Sequence, residues 1–207
     1  MIKIVSRIFA FAGFVVLLTA GAQASVVYVY DGPNFTNFQN ATPPAGTFDN
    51  SMDVTGSFTL ATPLAGNLVN ADISGLLEAF SFSHDRGAVT DINGGIVDFL
   101  VSTDAGGNIT GWDIDVRSDW DLGSNTVGSQ RLNVQTCSSC GGGGSARDIG
   151  QLSEVTQLDP RLVSSDSALV LTGDRIWRAR TIPAPAGLTL LFVGLAGLAG
   201  FARRNKA

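Results

Sequence analysis

The chain of 207 residues is long enough for one domain with a substantial core, and charged residues make up only 15% of it, which disfavours long polar helices. Lys3, Arg7, Arg203, Arg204 and Lys206 lie at the two ends, whereas the region between them carries eight arginines, no lysine and all 18 acidic residues, for a net charge of −10. So acidic a region repels nucleic acid and anionic lipid head groups, which excludes nucleic acid as an expected partner.

The first 24 residues have the three parts of a secretory signal peptide. Two basic residues precede an uninterrupted apolar run at 8–18, and Ala22 and Ala24 place small residues at positions −3 and −1 of a cleavage site before Ser25. This pattern predicts export and cleavage by signal peptidase. The apolar run is short for a permanent membrane helix, so an uncleaved anchor or a buried core helix is the less favoured alternative.

Residues 25–181 are predicted to form one all-β domain, a β-sandwich or jelly roll, because short strand-like runs are separated by Gly, Asn and Asp. The clearest element is a hairpin in which strands at 96–103 and 111–117 are joined by a turn at 104–107. Further strands are predicted at Val26–Tyr30, Gly56–Ala61, Ala79–Ser83, Arg131–Thr136, Ala168–Leu171 and Arg175–Arg180.

The segments between these strands predict irregular structure. A short helical turn is expected within Leu68–Leu77, and loops are expected at Asn34–Asn50, which is polar, and at Gly123–Gly150, which is rich in Gly and Ser. Trp112 and Trp177 alternate with polar residues on two of the predicted strands, which indicates that both pack in the core.

Cys137 and Cys140 are the only cysteines of the chain, and four glycines follow them. The spacing occurs in zinc and redox sites, but a zinc site needs about four ligands, and the chain offers only one histidine besides these cysteines. The glycines disfavour the helix N-terminus that lowers the thiol pKa of a redox site. The pattern therefore predicts no metal site but a small disulfide ring in a flexible loop, with little effect on stability.

His84 is the only histidine, and Asp85 and Arg86 follow it after a predicted strand. A His–Asp pair is found in hydrolase triads, and Ser145 lies in a Gly-Gly-Ser-Ala-Arg segment that lacks the last glycine of a nucleophile elbow. Nothing else in the chain supports a nucleophile. We therefore expect His84 at an exposed loop end, no catalytic residues, and a protein that is not an enzyme.

Asp91, Asn93 and Asp98 carry side-chain oxygens across a Gly-rich turn, and Asp113 and Asp115 follow nearby. Calcium takes six to eight such oxygens, so calcium is the one candidate cofactor, although the spacing of a known calcium loop is absent. Strand alternation places Asp113 and Asp115 on a solvated face, and a plain polar surface is the preferred interpretation.

Trp120 lies between two aspartates and is the one tryptophan that we expect to be exposed. An exposed indole ring can stack on a sugar ring. Together with Asp91, Asn93 and Asp98 it forms the candidate ligand-binding set of a lectin-like module that binds carbohydrate or calcium, which is the alternative function.

The last 26 residues, 182–207, contain the most specific signal of the chain. It opens with a short extended motif: Ile182, Pro183, Ala184 and Pro185. The uncharged segment 186–202 follows, long enough as a helix of about 26 Å to cross a thin bilayer. Arg203 and Arg204 come next, and the positive-inside rule keeps this end in the cytoplasm, in agreement with an exported domain on the other side.

The combination of a Pro-x-Pro motif, a short apolar helix and terminal arginines resembles the PEP-CTERM sorting signal, in the variant closest to Val-Pro-Leu-Pro-Ala, with Ala184 in place of the usual glutamate. The resemblance implies processing by the membrane enzyme exosortase, in bacteria that make exopolysaccharide, and a surface or matrix protein linked to exopolysaccharide or biofilm. We expect a protein that is anchored in the inner membrane by 186–202 and reaches the cell surface or the medium after processing. The alternative is an unprocessed tail anchor.

Overall fold

The computed structural model describes residues 24–41, 48–118, 130–140, 145–155 and 163–183. Their secondary structure consists of strands, apart from one 3₁₀ turn at Ser74–Leu76. The strands are β1 (Ser25–Asp31), β2 (Asn37–Gln39), β3 (Thr55–Leu60), β4 (Ala71–Asp72), β5 (Leu77–Ser83), β6 (Ala88–Thr90), β7 (Gly94–Thr103), β8 (Ile109–Ser118), β9 (Gln130–Cys137), β10 (Arg147–Val155), β11 (Val163–Val170) and β12 (Ile176–Ile182).

The strands form two antiparallel sheets, which confirms the all-β prediction. The order in the five-stranded sheet is β12-β1-β3-β5-β6, and in the seven-stranded sheet it is β2-β11-β10-β9-β8-β7-β4. Neighbours from β7 to β11 are consecutive along the chain, as antiparallel strands with short connections allow. The predicted signal peptide, except Ala24, and the predicted membrane helix at 186–202 lie outside the described residues.

Within the described ranges, no helix has the length and apolar character needed to cross a membrane.

Alternation along the strands turns one face of each sheet toward a shared core. In β1, Val26, Tyr28 and Tyr30 are buried, whereas the residues between them are less so. Across the interface, the ring of Phe99 on β7 lies 5.2 Å from that of Phe58 on β3, measured between centroids. The two sheets therefore pack face to face around aromatic side chains, and residues Ser25–Ile182 form one compact unit.

The predicted hairpin is confirmed. β7 and β8 pair antiparallel with Val101 opposite Trp112, and Asp104 closes the turn by accepting hydrogen bonds from the backbone N–H groups of Gly106 and Asn108. Each of the six further strands predicted from the sequence lies mainly within an observed strand, namely β1, β3, β5, β9, β11 and β12.

The segments predicted as irregular contain more strand than expected. Leu68–Leu77 is helical only in the 3₁₀ turn, because β4 within it pairs with β7. The loop predicted at Asn34–Asn50 contains β2, and it buries Phe35 and Phe48 against the core. Within Gly123–Gly150, β9 was predicted at Arg131–Thr136, whereas the first residues of β10 were not predicted as strand.

The sequence does not predict β10, because two of its three buried inward positions are not apolar. Asp148, Gly150 and Leu152 are the inward residues, and all three are buried. A side chain at Gly150 has no room, since a Cβ there would lie 2.7 Å from the Cβ of His84. A buried acid and a glycine thus hide the period of two that the other strands show.

Candidate functional site

The candidate functional site is the terminal strand pair, which we define as β1 (Ser25–Asp31) and β12 (Ile176–Ile182) at one edge of the five-stranded sheet. The two strands pair antiparallel along their whole length, with Ser25 opposite Ile182. The residue that follows the predicted signal cleavage therefore faces the first residue of the predicted sorting motif.

Aromatic contacts hold the beginning of β12 to the core. The ring of Trp177 lies 5.0 Å from that of Tyr30 and 6.0 Å from that of Trp112, measured between centroids. Both tryptophans are partly buried and pack against the core, which confirms their predicted placement. Toward its end the strand loses this support: Ile182 is 50% exposed, and the exposed Pro183 that follows has no N–H with which to continue the ladder.

A buried polar network fixes the segment that leads into β12. Asp148 on β10 accepts a hydrogen bond of 2.8 Å from the Tyr30 hydroxyl and lies 3.1 Å from Nε of Arg175 in an ion pair. Arg175 also donates to the carbonyl of Val170 at 3.1 Å. Burial raises the pKa of Asp148, while its hydrogen bonds with Thr136, Tyr30 and Arg175 act in the opposite direction. The network joins the strand pair to the other sheet, which is a structural role.

The outer face of the five-stranded sheet forms a shallow groove of about 420 Å³. Short side chains make up most of its floor: Val27, Val29, Thr55, Ser57, Ser81 and Ser83. Arg178 stands at one edge, 3.4 Å from Asp31 in an ion pair whose two side chains are each 50% exposed. The Ser83 hydroxyl already donates to the carbonyl of Gly87 and accepts the N–H of Asp85, so the hydroxyls of Thr55, Ser57 and Ser81 are the ones that can hydrogen-bond an extended polar ligand.

Of the four predicted ligand-binding residues, Asp91 and Asn93 share the turn between β6 and β7, and Asp98 lies on β7. Asn93 closes the turn between β6 and β7, because its Oδ1 accepts from the N–H of Thr90 at 2.7 Å and its Nδ2 donates to the carbonyl of Ala88 at 3.1 Å. Asp91 is exposed in the same turn, whereas Asp98 is exposed on β7, about 13 Å along the strand from its first residue. Trp120 lies outside the described residues.

Among the residues that the structure describes, no three or more His, Cys, Asp or Glu side chains are grouped so that they could hold a metal ion. The solvated face predicted for Asp113 and Asp115 is wrong for Asp115, which is only 5% exposed. Arg117, two residues along the same face, covers it with hydrogen bonds of 2.7 and 3.1 Å. Burial also raises the pKa of Asp113, and the charges of Asp98 and Asp115 raise it further.

Cys137 and Cys140 are joined in a disulfide at the end of β9. The ring is not a loose loop, since both cysteines are buried. Ser138 within the ring donates its N–H to the carbonyl of Trp112 at 2.9 Å and accepts the Trp112 N–H on Oγ at 2.9 Å. The four-residue ring therefore extends the pairing of β8 with β9.

The expectation that His84 lies at an exposed loop end is wrong, because the side chain is fully buried. Its ring packs against Phe48 with centroids 5.2 Å apart, in the space that the missing side chain of Gly150 leaves. Its Nδ1 accepts the N–H of Arg86 at 3.4 Å. Burial lowers the pKa of His84 from 6.5 to about 4, so the imidazole is neutral and sealed from solvent, whereas Ser145 is exposed.

Comparisons with known protein families, curated proteins and solved structures found no match.

Proposed function

We propose that the protein is an exported, non-enzymatic surface or extracellular-matrix protein that carries a C-terminal exosortase-type sorting signal. The observation that carries the proposal is the pairing of Ser25 with Ile182 in the terminal strand pair. β1 begins where the predicted signal peptide ends, and β12 ends where the predicted sorting motif begins. Both signals can therefore be cut off without the loss of a strand of the described structure.

The route follows from the two signals. Signal peptidase cuts after Ala24, and the segment 186–202 then holds the domain at the inner membrane, with Arg203 and Arg204 in the cytoplasm. Processing at the motif that begins with Ile182 releases the domain to the cell surface or the medium. The net charge of −10 between the ends favours solubility, and a link to exopolysaccharide rests on the resemblance of the signal.

The non-enzymatic part of the proposal is supported by the burial of the one histidine. A general base has to lie within hydrogen-bond reach of the proton that it takes. His84 is enclosed by core residues and binds its own loop. We place the domain among β-sandwiches, as its two facing sheets suggest.

The test is the intact mass of the protein recovered from its native host. We expect a chain that begins at Ser25 and ends near Pro183–Pro185. A double substitution, Pro183→Ala with Pro185→Ala, should leave the C-terminus unprocessed, whereas the matched control Pro63→Ala, at an exposed loop position, should be processed normally. A wild-type chain that begins at Ser25 and retains Ala207 would refute the sorting signal and leave an anchored domain.

A second candidate function is carbohydrate binding, which the groove of hydroxyl side chains on the five-stranded sheet favours. Sugars are bound through hydrogen bonds to small polar side chains on rigid strands. Filling the groove with Ser57→Leu should abolish binding on a glycan array, whereas Thr110→Leu, on an exposed position of the other sheet, should not. The absence of any binding by the wild-type protein would refute this candidate.

A further inference from the structure

The first residue of β1 contacts an acidic side chain that the proposed function does not explain. Ser25 donates a hydrogen bond of 3.0 Å from Oγ to Oε2 of Glu78 on β5. β3 lies between these two strands, but it ends at Leu60, which is opposite Val26. Ser25 therefore extends one residue beyond the pairing with β3, and the Glu78 side chain reaches it there.

A β-bulge gives Glu78 this direction. Thr59 lies opposite Ala79 and Leu60 lies opposite Leu77, so Glu78 is the extra residue on β5. A bulge leaves its extra residue outside the ladder and re-aims the side chain. Glu78 is exposed, and it is one of only two glutamates in the chain. The carboxylate at the start of β1 is thus placed by a specific irregularity of the neighbouring strand.

We propose that Glu78 is a docking site for the α-ammonium group of Ser25 in the processed protein, an inference that rests on the signal cleavage in the proposed function. The Ser25 nitrogen is three covalent bonds from Oγ, about 3–4 Å away. The carboxylate that Oγ contacts at 3.0 Å belongs to an exposed side chain, so rotation about the side-chain bonds of Glu78 brings it to the charged nitrogen once the cut has been made.

Cleavage changes the chemistry of this nitrogen. In the precursor it belongs to the amide between Ala24 and Ser25 and carries no charge. Hydrolysis breaks that C–N bond and consumes one water, whose oxygen becomes part of the Ala24 carboxylate while its hydrogens complete the acid and the amine. An α-amine with an ordinary pKa of about 7.7–8.0 then binds a proton at neutral pH. The cut thus creates a cation beside Glu78.

The ion pair would hold the start of β1 toward β5, on the side away from β12. Removal of the N-terminal signal therefore strengthens the strand against which Ile182 is paired.

The composition of the chain makes the proposal measurable. No lysine lies between Ser25 and Ile182, so the α-amine is the only primary amine of the processed domain. An amine-reactive ester acylates only the unprotonated nitrogen, and an ion pair to a carboxylate keeps the nitrogen protonated. The full-length gene is expressed in the native host, the N-terminus of the recovered protein is identified by mass spectrometry, and the acylation rate of Ser25 is measured at pH 7 by peptide mapping.

Matched variants test whether Glu78 binds the Ser25 nitrogen, Oγ alone or neither. Glu78→Gln should accelerate acylation about 1.5- to 5-fold, the range of an exposed ion pair. Glu154→Gln, the other glutamate, on β10 of the other sheet, should react at the wild-type rate. Ser25→Ala removes Oγ together with its electron-withdrawing effect on the amine, so it serves as a second background: adding Glu78→Gln to Ser25→Ala should again accelerate acylation about 1.5- to 5-fold, because the nitrogen itself is bound.

Equal rates for the wild type and Glu78→Gln, with Ser25 as the first residue, would overturn the docking site and leave the signal cleavage intact. Equal rates for Ser25→Ala with and without Glu78→Gln would overturn it as well, because Oγ would then be the only ligand. An N-terminus at another residue would overturn both the docking site and the proposed cleavage.

Discussion

Two polar side chains are buried against the inner face of β10, and they differ in how many hydrogen-bond partners surround them. Asp148 points inward from the strand and is met by the Tyr30 hydroxyl, the Thr136 hydroxyl and the Arg175 guanidinium. Two residues further on, Gly150 leaves a space for His84, which accepts one long hydrogen bond. Both side chains are fully buried. The buried acid thus has several partners brought in from distant strands, whereas the neutral ring of His84 is held by its own loop and by the space beside Gly150.

The largest expected effect is the loss of the partner set of Asp148. Asp148→Ala leaves the guanidinium of Arg175, which is only 6% exposed, and the Tyr30 hydroxyl without their acceptor. We expect the free energy of unfolding to fall by about 3–5 kcal/mol, as for other broken buried pairs. Urea unfolding of the purified protein measures this loss.

Asp148→Asn is the matched control, because it retains the shape and an acceptor oxygen for Tyr30 but removes the charge. It should cost less than Asp148→Ala. A loss below about 1 kcal/mol for Asp148→Ala would contradict the importance of the pair.

The second effect is a pH dependence that His84 alone should contribute. The pKa of His84 falls from 6.5 to about 4 on folding, so between these values the unfolded chain binds a proton that the folded chain does not. The stability from the neutral ring is complete above pH 6.5 and is lost as the pH falls toward 4. The shift corresponds to about 3 kcal/mol.

The comparison of the wild type with His84→Gln isolates this contribution. Burial and the charges of Asp85, Asp31 and Asp148 raise the pKa of Asp53 to about 6, which stabilises the folded state as the pH falls and opposes the effect of His84. As the pH falls from 6.5 to 4, the unfolding free energy of the wild type should therefore fall relative to that of the variant, which retains Asp53 but has no histidine. A difference that stays constant over this range would show that His84 is not buried as described.

The third effect tests the room that Gly150 provides. In Gly150→Ala the new Cβ would lie 2.7 Å from the Cβ of His84 and 3.1 Å from Cζ of Phe35, so the ring has to move. We expect a loss of about 1–3 kcal/mol in urea unfolding. Gly95→Ala on β7 is the matched control, since no atom lies within 4 Å of its Cβ. Equal losses of unfolding free energy for both variants would show that the close contact with His84 is not what makes Gly150→Ala unfavourable.

These buried polar residues also mark where prediction from the sequence ends. The β7–β8 hairpin and the placement of Trp112 and Trp177 could be predicted, because apolar residues recur there with a period of two. β10 could not, since its inward positions hold Asp148 and Gly150. The partners of Asp148 come from β1, β9 and the segment before β12, and no local pattern shows that they meet.

The candidate site divides in the same way. The compact unit begins at Ser25 and ends at Ile182, next to the two processing signals that the sequence predicts from local patterns of charge and apolar residues. The pairing of Ser25 with Ile182 was not predictable, since it joins residues from opposite ends of the chain. The contact of Glu78 with Ser25 depends on a β-bulge, and a single extra residue in a strand leaves no mark in composition or period.

The smallest expected effect comes from the exposed counterpart of the buried pair. Arg178 and Asp31 have the same chemistry as Arg175 and Asp148, but they are 3.4 Å apart and each is 50% exposed. Water already solvates both charges, so Asp31→Asn should lower the free energy of unfolding by at most about 1 kcal/mol, and high salt should reduce the difference further. Urea unfolding at low and high salt measures it beside Asp148→Asn. If Asp31→Asn cost as much as Asp148→Asn, then burial would not explain the difference between the two pairs, and the exposed pair of Arg178 and Asp31 would stabilise β12 as much as the buried pair does.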